Sequence, residues 1–180
     1  DRGSKSIKHT VFAQLPKVVP SKSLLVFNNT QVIPARLNGL TKKSKRPIEI
    51  LLINETTDKN HWEVLIKGLG KFNLGTEIEF GDGELNGILI KRQKDKAIIK
   101  LTYKGQLNII LDNIGRMPLP PYIQRKDIAN KNIARHDRER YQTVFAKHPG
   151  SIAAPTAGLH FTPYIFNSLK NNGIDTVFLT

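Results

Sequence analysis

The chain has 180 residues, 39% of them hydrophobic and 24% charged, with 13 Gly, 10 Pro and no Cys. That is the profile of one globular domain or two small ones, and it excludes a disordered or fibrous chain. It also excludes disulfides, thiolate zinc sites and cysteine nucleophiles, and no apolar run approaches the roughly 20 residues of a membrane helix. With no signal peptide at the start, a cytoplasmic protein without membrane contact is expected. The 28 Lys and Arg against 15 Asp and Glu leave a net charge of +13, distributed as +9 over residues 1–47, −1 over 48–115 and +5 over 116–180. Such a bias fits a solubilising surface, or two outer segments that share a face toward a polyanion.

In chain order, Leu24 to Phe27 reads as an apolar strand ending at Asn28-Asn29-Thr30, and Val32-Ile33 resumes it before Pro34, which suits backbone turned toward a ligand or neighbour. Six short strands are then predicted: Ile48 to Ile53, His61 to Lys67, Thr76 to Phe80, Gly87 to Lys91, Ala97 to Tyr103 and Leu107 to Leu111, with a Gly81-Asp82-Gly83 turn between two of them. Their spacing favours a small antiparallel barrel that closes its own edges. Met117 to Ile123 holds three prolines and reads as a rigid extended run, with Tyr122 either a stacking surface for a base or part of a stiff linker. Near the end, Ser151 to Ala154 is a predicted strand, Pro155 to Phe161 a loop, Thr162 a helix N-cap, Pro163 to Asn172 a helix stopped by Gly173, and Ile174 to Thr180 a strand. Strand, helix, strand predicts a βαβ unit with a right-handed crossover. The expected fold is therefore an α/β domain, residues 1–40 and 116–180, with a small antiparallel β-barrel, residues 41–115, inserted into it. A first residue other than Met and a last residue inside a strand read as cut ends, so a longer parent protein is expected.

The densest chemistry lies in Asp137 to Gly150, where two carboxylates, two guanidiniums, a phenol and an imidazole fall within twelve residues. As a helix it would put Asp137, Arg140 and Tyr141 on one face, an acid beside a cation, although a solvated helix with i,i+3 pairs explains the same spacing. In Ala154 to Thr162 the small residues Ala157 and Gly158 permit close backbone approach, and the following helix start favours a carboxylate or phosphate. An ordinary connecting loop is the competing reading. His160 carries a proton to give or take near neutral pH, with Asp137 and Glu139 as competitors for the same role. Asn28, Thr30, Arg36, Tyr122, Thr156, Ala157, Gly158 and Thr162 are the candidate substrate contacts. Arg138, Arg140 and Lys147 are the candidate contacts for a phosphate or a substrate carboxylate, with a polyanion expected across the outer segments and not across the barrel. No metal-ligand spacing and no GxGxxG, GxxxxGK[ST] or GxSxG motif occurs in the sequence.

Three strings, LLVFNNTQVIPARLNG (Leu24 to Gly39), GRMPLPPYIQR (Gly115 to Arg125) and DRERYQTVFAKHPGSIAAPTAGLHFT (Asp137 to Thr162), resemble the S-adenosylmethionine:tRNA ribosyltransferase-isomerase family of queuosine biosynthesis. The likeness runs over nearly the whole chain, with departures at Asn29 (usually Asp), Gln31 (usually Arg), Arg116 (commonly His) and Phe145 (commonly Tyr). The resemblance implies an enzyme that transfers and isomerises the ribosyl part of S-adenosylmethionine onto 7-aminomethyl-7-deazaguanine at the tRNA wobble position. Epoxyqueuosine forms, and adenine and methionine leave. It implies S-adenosylmethionine as cosubstrate, tRNA as partner, no metal and a monomer. The other class to weigh is a non-catalytic RNA-binding module with an OB-like barrel; against it stand the barrel segment's net −1 and its few aromatics.

Overall fold

The computed structural model describes residues 3, 7, 9–123 and 131–180. In chain order the elements are α1 (Leu15–Val18), β1 (Leu24–Asn28), β2 (Thr30–Val32), β3 (Arg36–Thr41), β4 (Pro47–Glu55), β5 (His61–Ile66), β6 (Glu77–Phe80), β7 (Leu85–Arg92), β8 (Ala97–Tyr103), α2 (Leu107–Ile114), α3 (Lys131–Arg140), β9 (His148–Ser151), α4 (Pro163–Asn171) and β10 (Asp175–Leu179). Two compact units result, one of residues 1–31, 142–149 and 154–180, the other of residues 32–141 and 150–153. The chain passes between them within β2 and β9, after Tyr141 and after Ala153. These divisions differ from the expected boundaries at 40/41 and 115/116.

In the unit of residues 32–141 and 150–153, six strands close a barrel in the order β3-β4-β5-β8-β7-β6, every neighbouring pair antiparallel. Alternation explains the closure. Ile48, Ile50 and Leu52 of β4 and Ala97, Ile99 and Leu101 of β8 are buried, and the residues between them are more exposed. Gly39 is required in β3, because a Cβ there would sit 2.5 Å from both the Glu79 carbonyl oxygen and the Phe80 ring. Phe80 therefore fills the interior beside Leu37, Ile78, Leu85 and Leu89. The tight turn between β6 and β7 holds Gly81, Asp82 and Gly83 at positive φ, 56°, 53° and 94°.

Two expectations are corrected here. Leu107–Ile114 is a helix and not the sixth strand, since Leu107, Ile110, Leu111 and Ile114 recur at helical spacing and Ile110 and Leu111 bury themselves on the barrel core. The sixth strand is β3, from the segment assigned to the α/β part.

In the other unit, β1 pairs in parallel with β10, Leu24 opposite Asp175 through Asn28 opposite Leu179. This rewires the expected βαβ unit: the strand before α4 is β9, which ends at Ser151, and β10 takes β1 as its partner. α4 begins as expected, with Pro163 at its first turn and Thr162 Oγ1 accepting from Ile165 N at 3.3 Å, and Gly173 follows it at φ 68°. Ile165, Leu169 and Ile174 form a small core that Phe12, Val19, Leu25 and Phe161 cover. Beside it, Phe27 meets Phe145, Phe161, Phe166 and Phe178 with ring centroids 4.8–5.7 Å apart. Leu24, Val26 and Leu179 stay about 60% exposed.

Candidate active site

The barrel unit carries a cavity of about 800 Å³, within the size range of small-molecule sites. One wall is the outer face of β3, β4 and β5, with Arg36, Glu49 and Leu51; the others come from Gly115–Ile123 and from Ile133, Ala134, Asp137 and Arg138 of α3. An antiparallel bridge between Arg36 and Arg116 holds the second wall to the first, through Arg36 N to Arg116 O at 3.1 Å and Arg116 N to Arg36 O at 2.9 Å. Gly115 permits that approach, since a Cβ there would lie 2.0 Å from the Pro34 carbonyl oxygen.

The polar groups are individually placed. Arg36 donates through Nη1 to Glu49 Oε1 at 2.9 Å and through Nη2 to the Leu119 carbonyl at 3.1 Å, which pins the proline-rich run along the barrel wall. Arg138 donates to the carbonyls of Asp112 and Gly115, clamping α3 to the end of α2. Asp137 is 8% exposed on the cavity wall, and Arg116 presents a guanidinium whose Nη1 is buried with no hydrogen-bond partner among the described residues. Around these sit Met117, Leu119 and Pro120, so an apolar hollow holds a carboxylate and a guanidinium with one unpartnered nitrogen. Such a set suits a ligand with an apolar body and charged ends.

The structure therefore brings together three of the residues singled out from sequence, Arg36, Asp137 and Arg138, and leaves the rest elsewhere. Glu139 is exposed and paired with Arg135 at 3.0 Å, Arg140 is exposed, and Tyr122 is 77% exposed. The last two residues of the second string, Gln124 and Arg125, lie outside the described residues. Arg138, expected to contact phosphate, donates to two backbone carbonyls and lies 3.8 Å from the Asp112 carboxylate. Arg116 and Met117 were not singled out as contacts; the one signal was Arg116 standing where His is common.

The remaining candidates belong to the other unit. Asn28 Oδ1 accepts from Thr30 N at 2.8 Å and Thr30 Oγ1 at 2.5 Å, an Asx turn that satisfies itself. Thr156–His160 is a 3₁₀ turn in which Gly158 is buried, a Cβ there meeting Thr143 Cγ2 at 2.9 Å and the Phe145 ring at 3.1 Å. The glycine thus serves packing. Thr156 and Ala157 are exposed, and the exposed His160 lays its ring against Phe12 with centroids 5.2 Å apart. Lys147 is exposed, its backbone N donating to the Asn29 carbonyl at 2.8 Å. Asn29, buried at 8%, also receives Thr180 Oγ1 at 2.7 Å, so its amide ties strand ends together.

Charge is distributed differently from the linear count. Lys42, Lys43, Lys45 and Arg46, which a division at residue 47 grouped with the first outer segment, form the β3–β4 turn of the barrel. The barrel unit holds 21 basic and 13 acidic residues and the other unit 7 and 2, so both are cationic. Among the described residues, no helix is long and apolar enough to cross a membrane.

Comparison with known proteins adds three findings. A model of the family described as queuosine biosynthesis protein matches residues 1–180. Proteins named S-adenosylmethionine:tRNA ribosyltransferase-isomerase from Desulfitobacterium hafniense and Clostridioides difficile are each 42% identical, over 98% and 100% of this chain. The chain spans about half the length of the curated relatives it matches, 50% of each of these two. Among solved structures, the crystal structure of S-adenosylmethionine tRNA ribosyltransferase from Thermotoga maritima matches with 24% identity and a TM-score of 0.37, over 98% of this chain and 46% of that one.

Proposed function

The chain belongs to the queuosine biosynthesis protein family, and from that premise we propose that it forms part of an enzyme transferring and isomerising the ribosyl moiety of S-adenosylmethionine onto 7-aminomethyl-7-deazaguanine in tRNA, with epoxyqueuosine formed and adenine and methionine released. The observation that carries this reading is the cavity of the barrel unit, whose walls join residues from all three strings: Arg36 from the first, Arg116 to Ile123 from the second, Asp137 and Arg138 from the third. We also read the barrel unit as an insertion in an α/β domain. The support is that the other unit is assembled from three separate segments around a parallel strand pair.

S-adenosylmethionine joins an adenine and ribose, through a sulfonium cation, to an amino-acid end that carries an ammonium and a carboxylate. In the proposed arrangement Asp137 faces the cation and accepts the proton whose removal beside the sulfonium starts the opening of the ribose, while Arg116 takes an anionic group. A sulfonium acidifies the adjacent C–H, so one positioned carboxylate suffices to begin the elimination. His160 of the other unit is the competing acceptor. An OB-like stacking platform finds less support, because Phe72 and Phe80 of the barrel are interior and Trp62 and Tyr103 pack against its core.

Adenine release from S-adenosylmethionine by the full-length parent, in the presence of tRNA carrying the modified base, tests the reading. Wild type should release adenine. Asp137→Asn should lower turnover by roughly 10²- to 10⁴-fold, and His160→Gln should leave it within a few fold. Loss at His160→Gln with Asp137→Asn active would transfer the proton acceptor to the other unit, and no release by wild type would remove the reading.

A further inference from the structure

We infer that one end of the barrel is a phosphate-binding surface through which this protein holds the backbone of its RNA substrate. The inference rests on tRNA being the substrate, as proposed above. Because every neighbouring pair in the closed ring is antiparallel, the β3–β4, β5–β6 and β7–β8 connections must all emerge at the same end. These three connections hold eight cations and one carboxylate: four cations in residues 42–46, Lys67 and Lys71 in the second, and Lys94 and Lys96 around Asp95 in the third. The opposite end, made by residues 56–60, 81–84 and the exit from β8 at Lys104, holds two cations and three carboxylates. A barrel that looks nearly neutral along the sequence is thus strongly polarised along its axis.

Three details favour an anion at the cationic end. Of the eight cations only Lys96 makes an ion pair among the described residues, with Glu63 at 3.0 Å, so the charges of the others are not neutralised there. The β3–β4 turn is held rigid by its own hydrogen bonds, Thr41 N to Arg46 O at 2.9 Å, Lys45 N to Thr41 O at 2.9 Å and Arg46 N to Thr41 Oγ1 at 3.0 Å. Its backbone is therefore already ordered before binding, and only the side chains remain to be fixed. Between this turn and the β5–β6 connection lies a cleft of about 340 Å³ whose lining includes Lys43, Ser44, Arg46 and Lys71, three cations against the one carboxylate of Glu77, a concave place for a phosphate. Lys67 stands both in the β5–β6 connection and on the cavity that holds Asp137, so a strand bound at this end passes the mouth of the proposed active site.

The test compares three variants of the full-length parent with wild type, with tRNA affinity measured as a function of salt and S-adenosylmethionine affinity alongside. Lys42→Gln with Lys43→Gln and Lys45→Asn removes three of one turn's four charges, Asn being tolerated at the positive φ of 49° at residue 45. Lys71→Gln with Lys94→Gln removes charge from the other two connections. Lys59→Gln with Lys104→Gln is the control at the opposite end. Both first variants should bind tRNA roughly 10-fold or more weakly at low salt, with the logarithmic salt slope reduced by about one for each phosphate no longer neutralised. S-adenosylmethionine affinity and the control should stay unchanged. Wild-type tRNA affinity and slope in both cationic-end variants, or an equal loss in the control, would overturn the inference, as would loss of binding to phosphatidylglycerol vesicles with tRNA binding intact. A parent that binds tRNA through these connections but releases no adenine would contradict the functional reading and leave this surface standing.

Discussion

The two units solve the same problem with unequal means. The barrel has no free strand edge and surrounds a core in which Leu37, Ile50, Leu52, Val64, Ile78, Leu85 and Ala97 are fully buried. The other unit has a two-stranded parallel pair, a three-residue aliphatic core and a knot of phenylalanines, and it leaves Leu24, Val26, Val177, Phe178 and Leu179 exposed. Parallel strands are ordinarily covered on both faces, whereas the barrel closes on its own interior; within this chain the other unit packs Phe27 against Phe145, Phe161, Phe166 and Phe178. The closed hydrogen-bonded wall belongs to the barrel, and the cavity that carries the proposed chemistry is built against it.

The largest effect that would break this contrast is Phe80→Ala, which empties the barrel interior and should cost about 3–5 kcal/mol in urea unfolding; a cost under 1 kcal/mol would show that the barrel is not the tightly packed unit. Leu169→Ala should cost roughly 2–3 kcal/mol, toward the low end for Leu→Ala because a three-residue core can relax. Its effect on amide exchange should be confined to residues of that unit, and barrel amides that also speed up would mean the two cores are energetically one. Thr162→Ala removes the α4 cap and should cost about 1 kcal/mol, read as faster exchange at Ile165.

The smallest effect is pH-dependent. Burial, and after it the nearby Glu55 carboxylate, raise the Tyr103 phenol above its ordinary value of 10.0, and its hydroxyl donates to Asn60 Oδ1 at 2.9 Å. A raised folded-state value means the neutral phenol stabilises the fold below pH 10, and the contribution fades as pH rises through that value. Tyr103→Phe should therefore be less stable than wild type at neutral pH and approach it in strongly alkaline solution. A gap that widened with pH would reverse the sign.

What was readable from sequence follows the same contrast. Five barrel strands and the α4 cap and stop came from local signals, period-two alternation in β5 (Trp62, Val64, Ile66) and β6 (Ile78, Phe80) and the Thr162-Pro163 and Gly173 punctuation. The window Leu107 to Leu111 is too short to separate a strand from a helix; extending it to Ile114 reveals the i, i+3, i+4, i+7 spacing. β3 was missed because Arg-Leu-Asn-Gly-Leu-Thr carries a glycine where a strand residue is expected, and the reason for that glycine is Phe80, forty-one residues away. The β1–β10 pairing joins residues about 150 apart, and nothing local announces it. Asp137 and Arg36 were legible as chemical types, but their shared cavity was not, since it depends on how Gly115 lets the Arg116 backbone reach β3. The polarised barrel was hidden for a similar reason: a boundary drawn at residue 47 cut the cationic hairpin turn away from the strand it begins.

The central claim is that the substrate cavity belongs to the barrel unit and not to the loop before α4. Hydrogen exchange of the full-length parent with and without S-adenosylmethionine addresses it directly. Cosubstrate should slow exchange in peptides covering residues 115–121 and 133–138 and leave peptides covering 154–162 unchanged; slowing confined to 154–162, with 115–121 and 133–138 unaffected, would contradict the claim.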